Sequence, residues 1–231
     1  ETDGTDKTDD AGAVEYSVHP NSTSGVVSRW NLVQHLMKKA VTYPNRASEA
    51  ENSLVFTTKR ADAEVQEAVT VVGSPRVRLE LEVLEADATD AVIFAYLEDV
   101  DTTTGGVSYI TEGQVRASHR PAPGRDAAAA KWRHGERVAE RVGHFEEVTR
   151  TFSRADMAPL ASGTTSTVEF MLEPIAYTLL PGHQLRLSLA GTDADNFFLE
   201  NIPGLAKSWR VHTSGRSSLH LPVQLGSLAA S

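Results

Sequence analysis

The clearest signal along the chain is strict alternation. Val77, Leu79, Leu81 and Val83 interleave with Arg76, Arg78, Glu80 and Glu82. That is the period of a strand with one face buried and the other in water. Val168, Phe170 and Leu172 repeat the pattern, as do Leu185, Leu187 and Leu189. Ala91–Leu97 is apolar at every position, which predicts a central strand covered on both faces. Shorter runs bounded by turn residues occur at Ser53–Thr58, Val107–Ile110, Gln114–Ser118, Trp209–Thr213 and Leu219–Leu225. Many short strands at turn-length spacing, without strand–helix alternation, predict an all-β sandwich or barrel rather than a parallel sheet.

Two stretches break the pattern. Leu32, Val33, Leu36, Met37 and Val41 lie close to helical spacing, predicting a short helix over 30–43 that Pro44 ends. Residues 121–142, PAPGRDAAAAKWRHGERVAERV, open with Pro and Gly and continue Ala-rich and charged. They read as a surface insertion between strands, with Asp126 placed to cap a helix and Gly135 weakening it.

Composition narrows the picture. A chain of 231 residues with 40% hydrophobic content is long enough to bury a sizeable core as one domain. The first 13 residues hold five acids, one Lys and little apolar mass. They are expected to be an acidic flexible linker, leaving 14–231 as a single domain. A net charge of -9 lacks the basic face that phosphate binding requires, so no nucleic-acid partner is expected. No apolar run approaches the roughly 18 residues of a membrane helix, so no membrane partner is expected either. The polar start, ETDGTDKTDD, is unlike a signal peptide and lacks Met, which suits a fragment or a processed product. With no cysteine, disulfides, thiolate catalysis and Cys-based zinc sites are excluded and the compartment stays open.

Candidate chemistry is sparse. The chain contains no GxSxG, P-loop, HExxH or dinucleotide fingerprint. Its eight histidines, at 19, 35, 119, 134, 144, 183, 212 and 220, show no metal-ligand pairing. A Ser188, His183 and Asp193 triad can be written down, but no spacing singles it out. Glu98, Asp99 and Asp101 could do acid–base work or bind calcium; acids at a strand end more simply hold turns. Asp193, Asp195 and Asn196 superficially resemble a calcium loop without the EF-hand spacing, and Asx-turns explain them better. Phe197 and Phe198 could instead pack that loop on another domain. Gly105-Gly106 permits a tight turn in the Tyr96–Arg120 hairpin, with Arg116 and Arg120 expected to pair with acids of the neighbouring strand.

Seven segments in order carry a resemblance: YPNRASEAENSLVFTT (43–58), VTVVGSPRVRLELEV (69–83), FAYLEDVD (94–101), VSYITEGQVRASHR (107–120), TFSRADMAPL (151–160), EPIAYTLLPGHQLRLSLAGTDADNF (173–197) and SSLHLPV (217–223), with SRWN at 28–31 before them. Over residues 14–225 the chain resembles the C-terminal domain of the CocE/NonD serine hydrolases, a group that includes X-Pro dipeptidyl-peptidases and cocaine esterase. The resemblance implies a jelly-roll β-sandwich similar to galactose-binding domains. It also implies a non-catalytic accessory role: the Ser-His-Asp triad belongs to an upstream α/β-hydrolase domain, which is the expected partner and whose pocket this domain would help to shape. No catalytic, cofactor or metal residue is assigned to this chain, and homo-oligomer formation stays open. The Ala-rich insertion at 121–142 departs from the family pattern. A second reading is a carbohydrate-binding module using Trp30, Trp132 and Trp209. A third is a stand-alone enzyme with an unrecognised site.

Overall fold

The computed structural model describes residues 8–9, 12–31, 33, 36–37, 40–58, 67–120, 150 and 152–224. Its strands are β1 (Thr8–Asp9), β2 (Ala13–Ser17), β3 (Leu54–Thr57), β4 (Val69–Gly73), β5 (Arg76–Val83), β6 (Val92–Asp101), β7 (Val107–Arg116), β8 (Ser166–Met171), β9 (Ile175–Leu179), β10 (His183–Ala190), β11 (Ser208–His212), β12 (Ser218–His220) and β13 (Val223–Gln224). The alternating run Arg76–Val83 is β5, and its Val77, Leu79, Leu81 and Val83 are fully or almost fully buried. The run with two apolar faces is β6, flanked by β10 on one side and β7 on the other. Leu219–Leu225 divides into β12 and β13, because Pro222 cannot donate to a ladder.

One sheet has the order β1-β2-β11-β5-β12, with β8 on the other edge of β5; the second is β3-β10-β6-β7. All ladders between these strands are antiparallel. Without the short β1, β12 and the small sheet β13-β4-β9, consecutive long strands alternate between the two sheets, except for the β6–β7 hairpin, which stays in one. The first long strand, β2, lies beside the last, β11, while β3 lies beside β10 in the facing sheet. That is jelly-roll order. The core lies between the inner faces: Val77, Leu81, Val168, Phe170 and Trp209 from one sheet meet Ile93, Leu97, Val115 and Leu189 from the other. Each such side chain contributes roughly 1.5–3 kcal/mol when fully buried.

The outer face of the second sheet is also covered. Val92, Phe94, Tyr96 and Ala190 form a second apolar cluster with Phe197, Leu199, Ile202 and Leu205 from the loop after β10. The long excursion between β2 and β3 lies over the rest, held by Arg46 N–H donating to Val107 O at 2.9 Å. Of the helix expected over 30–43, the described residues show a single turn, with Met37 N–H donating to Val33 O at 3.0 Å; 40–43 are not helical. Leu32, Gln34, His35, Lys38 and Lys39 lie outside the described residues. The apolar positions that suggested the helix do not face the core: Val33, Leu36 and Met37 are 63%, 75% and 62% exposed. Of the expected linker, Thr8 and Asp9 pair with Val14 and Ala13, and residues 1–7 and 10–11 lie outside the described residues. The expected insertion at 121–142 lies outside them as well.

Candidate functional site

The acids of LEDVD have three destinations. Asp101 holds the turn, accepting from Thr103 N–H at 2.8 Å and from the Thr104 hydroxyl at 2.6 Å. Those bonds, Thr104's first, hold its carboxyl below the usual range. Gly105 completes the turn at φ +71, where a side chain would be strained. Asp99 points the other way from Glu98. It bonds His183 Nδ1 at 2.7 Å and accepts from the Tyr177 hydroxyl at 2.6 Å.

Glu98 is the centre of a buried polar layer under the β2–β3 excursion. Its side chain and that of Arg46 are 0% exposed. Glu98 accepts from Arg46 Nε at 2.5 Å, Arg186 Nε at 2.5 Å and Ser188 Oγ at 2.6 Å. Arg186 Nη2 also donates to Arg46 O at 2.7 Å, and Arg46 Nη1 to Thr23 O at 2.8 Å. Arg46 Nη2 has no hydrogen-bond acceptor among the described residues. The guanidinium lies 4.2 Å over the Tyr96 ring, whose electron-rich face takes the acceptor's place. The Tyr96 hydroxyl donates to Asp193 Oδ2 at 3.0 Å. Asp193, also fully buried, accepts from Ser24 Oγ at 2.6 Å and Asn196 Nδ2 at 2.8 Å. Two guanidinium groups and two carboxylates thus balance in one layer, as buried charges must. Burial, reinforced by Asp193, pushes the Tyr96 phenol well above its ordinary value.

A second group lies further out on β7. Glu112 accepts from Arg29 Nε at 2.7 Å, and Arg29 also faces Glu173 at 3.4 Å. Burial pushes the Glu112 carboxyl up, against Arg29 and the Trp30 side chain, which favour its charged form. Tyr43 stacks on Tyr109 with ring centres 3.6 Å apart. Arg29 lies 4.5 Å over Trp30, and Trp30 meets Phe197 edge-on at 5.1 Å.

The written triad is not assembled. Ser188 serves Glu98, His183 serves Asp99, and Asp193 serves Ser24 and Tyr96. His183 and Ser188 are five positions apart on β10, so they lie on opposite faces and roughly 17 Å apart along the strand. Asp195 accepts from Thr23 Oγ1 at 2.7 Å, and Asn196 N–H and Phe197 N–H both turn back to Asp193 O. Among the described residues, no three His, Asp or Glu side chains converge to hold a metal ion. A cleft of about 390 Å³ opens between the sheets beside Phe56, Leu79, Leu187 and Val211. Its lining contains hydroxyls but no titratable group. Arg116 pairs with Asp90, two positions before β6, rather than with an acid of the LEDVD run. Among the described residues, Arg120 donates to the carbonyls of Ala117 and Ala158 rather than to an acid. Of the tryptophans, Trp209 is 0% exposed core, Trp30 is packed as above, and Trp132 lies outside the described residues.

Arg46, Arg186 and Glu112 were not singled out by sequence reasoning. A signal existed for one of them: Arg186 and Ser188 are polar positions inside LRLSL, a strand next to one covered on both faces.

The strand order and the double covering of β6 place the chain among jelly-roll sandwich domains. More specifically, it belongs to the X-Pro dipeptidyl-peptidase C-terminal non-catalytic domain family, which residues 2–204 match. Two relatives, from Mycobacterium bovis and Mycobacterium tuberculosis, both carry the name "Putative serine esterase". Each is 34% identical over 218 residues, covering 93% of this chain and 30% of the relative. The chain therefore spans less than a third of these relatives' length. Among solved structures, an α-amino acid ester hydrolase superposes with a TM-score of 0.59 at 19% identity, over 93% of this chain and 33% of that one. A CocE/NonD family hydrolase from Staphylococcus aureus superposes with a TM-score of 0.56 at 14% identity, over 77% and 32%. These likenesses establish the fold.

Proposed function

We propose that this chain is the accessory domain of a larger serine hydrolase of the CocE/NonD type. In the whole protein an α/β-hydrolase domain carries the nucleophile, and this domain packs on it and helps to shape its substrate pocket. Residues 14–231 act as one domain, with 1–13 joining it to what precedes. The observation that best supports this reading is what Ser188, His183 and Asp193 do. Each is engaged in a separate internal bond, whereas a nucleophile needs its base within hydrogen-bond reach. The relatives' names and their greater length agree with it. The carbohydrate-binding reading is disfavoured by Trp209, which is fully buried, and by Trp30, which Arg29 lies over and Phe197 meets edge-on.

The test is hydrolysis of a p-nitrophenyl acyl ester, with a serine-directed fluorophosphonate as probe. The isolated chain should neither turn over the ester nor take the label, and the longer polypeptide should do both. Turnover by the isolated chain, abolished by labelling, would overturn the proposal.

A further inference from the structure

Five of the exposed large apolar side chains belong to one excursion, between β2 and β3: Val26, Val33, Leu36, Met37 and Val41. The excursion is closed at its base by Thr42 N–H donating to Val27 O at 3.1 Å. Val33, Leu36 and Met37 follow the i, i+3, i+4 spacing of one helix face, and that face is turned to solvent. Phe198, on the loop after β10, is 95% exposed. Its position follows from its neighbour: Phe197 is fixed between Phe94, at 4.9 Å, and Trp30, at 5.1 Å, so the next ring must leave the cluster. Asn196 ties that loop to the excursion, accepting from Ser28 Oγ at 2.7 Å and donating to Gly25 O at 3.3 Å.

Exposed apolar side chains at helical spacing on the excursion, and an exposed aromatic ring on the loop tied to that excursion, are what a partner would bury. We infer that the upstream hydrolase domain of the same polypeptide docks here, with Leu36, Met37 and Phe198 as the side chains it buries. This deepens the proposed function and rests on it. The occupant is argued from length: the relatives extend more than twice as far again as the part this chain matches. Domains of one chain commonly share interfaces of roughly 600–1,500 Å², a size for which this surface can serve as the centre. The buried polar layer beneath gives the surface its rigidity. Arg46 bonds the excursion at Thr23 O, and Asp193 bonds it at Ser24, so both pieces are mounted on β6 and β10 before docking.

The chain has no cysteine, so single substitutions Leu36→Cys, Phe198→Cys and, as a control on the small third sheet, Val72→Cys report through maleimide labelling. Labelled peptides are quantified by mass spectrometry in the isolated chain and in the longer polypeptide, alongside fluorophosphonate labelling. Leu36→Cys and Phe198→Cys should react about tenfold more slowly, or slower still, in the longer polypeptide, as expected when reaction needs local opening, and Val72→Cys should be unchanged. If both react equally in the two forms while the fluorophosphonate still labels upstream, the docking surface lies elsewhere and the accessory role stands. If the longer polypeptide takes no fluorophosphonate, the accessory role falls and this inference with it. If both cysteines are already protected in the isolated chain and that chain runs as a dimer, a second copy covers the surface and the inference is overturned.

Discussion

Replacing Glu98 by alanine removes the acceptor shared by two buried guanidinium groups. Arg46 and Arg186 each place Nε 2.5 Å from a Glu98 oxygen, and Ser188 adds a third bond at 2.6 Å. With both Glu98 and Arg46 side chains 0% exposed, water cannot take the lost partner's place. Breaking a buried ion pair from one side costs about 3–5 kcal/mol. Two charge-assisted bonds at roughly 1.5–3 kcal/mol each give an overlapping range of about 3–6 kcal/mol independently. For a domain of this size, each kcal/mol moves the melting temperature by roughly 2–4 °C, so Glu98→Ala should melt about 6–20 °C lower. Urea unfolding followed by the fluorescence of Trp209, which is fully buried, reads the loss directly. A companion variant, Arg46→Met with Glu98→Leu and Arg186→Met, leaves no unpaired charge and should be more stable than Glu98→Ala. A loss below about 1 kcal/mol, the worth of an exposed pair, would refute the reasoning, because it would mean that water reaches the layer.

Two further expectations follow from the same sheet. A Cβ added at Gly113 on β7 would lie 2.6 Å from Met171 O and 2.9 Å from Leu172 Cδ2. Backbone cannot give way there as a flexible side chain can, so Gly113→Ala should lose about 1–3 kcal/mol in urea unfolding; an unchanged midpoint would contradict it. Burial raises the phenols of Tyr96, Tyr109 and Tyr177 above 10, and Asp99 adds to the effect at Tyr177. A raised acid group binds more protons folded than unfolded, so its contribution is intact below pH 10 and is lost as pH rises toward the folded value. Alkaline titration should therefore show these phenolates appearing together with unfolding, and their ionisation in a still-folded chain would contradict the burial argument.

The sequence by itself determined the strands and their inward faces. Arg76–Val83 shows why: alternation of charge and aliphatic mass permits one pleat orientation, since a one-residue slip would bury four charges. Ala91–Leu97 likewise could only be a strand covered twice, and the ordered segments from 43 to 223 pointed to the jelly roll. Val107–Arg116 was legible only as two pieces, because Glu112 and Gly113 interrupt its apolar pattern; the ladder to β6 joins them. Tertiary structure decided what the polar residues do. Glu98, Asp99 and Asp101 are near neighbours in sequence, yet they meet partners 52, 84 and 3 positions away. No local pattern records a partner that distant. The same holds for Val33, Leu36 and Met37. Their spacing gives a helix face but not the direction it faces, because that depends on whether the fold leaves room for the face inside. Here the outer side of the second sheet is already filled by Arg46, Tyr96 and Phe197, so the apolar stripe is left pointing outward.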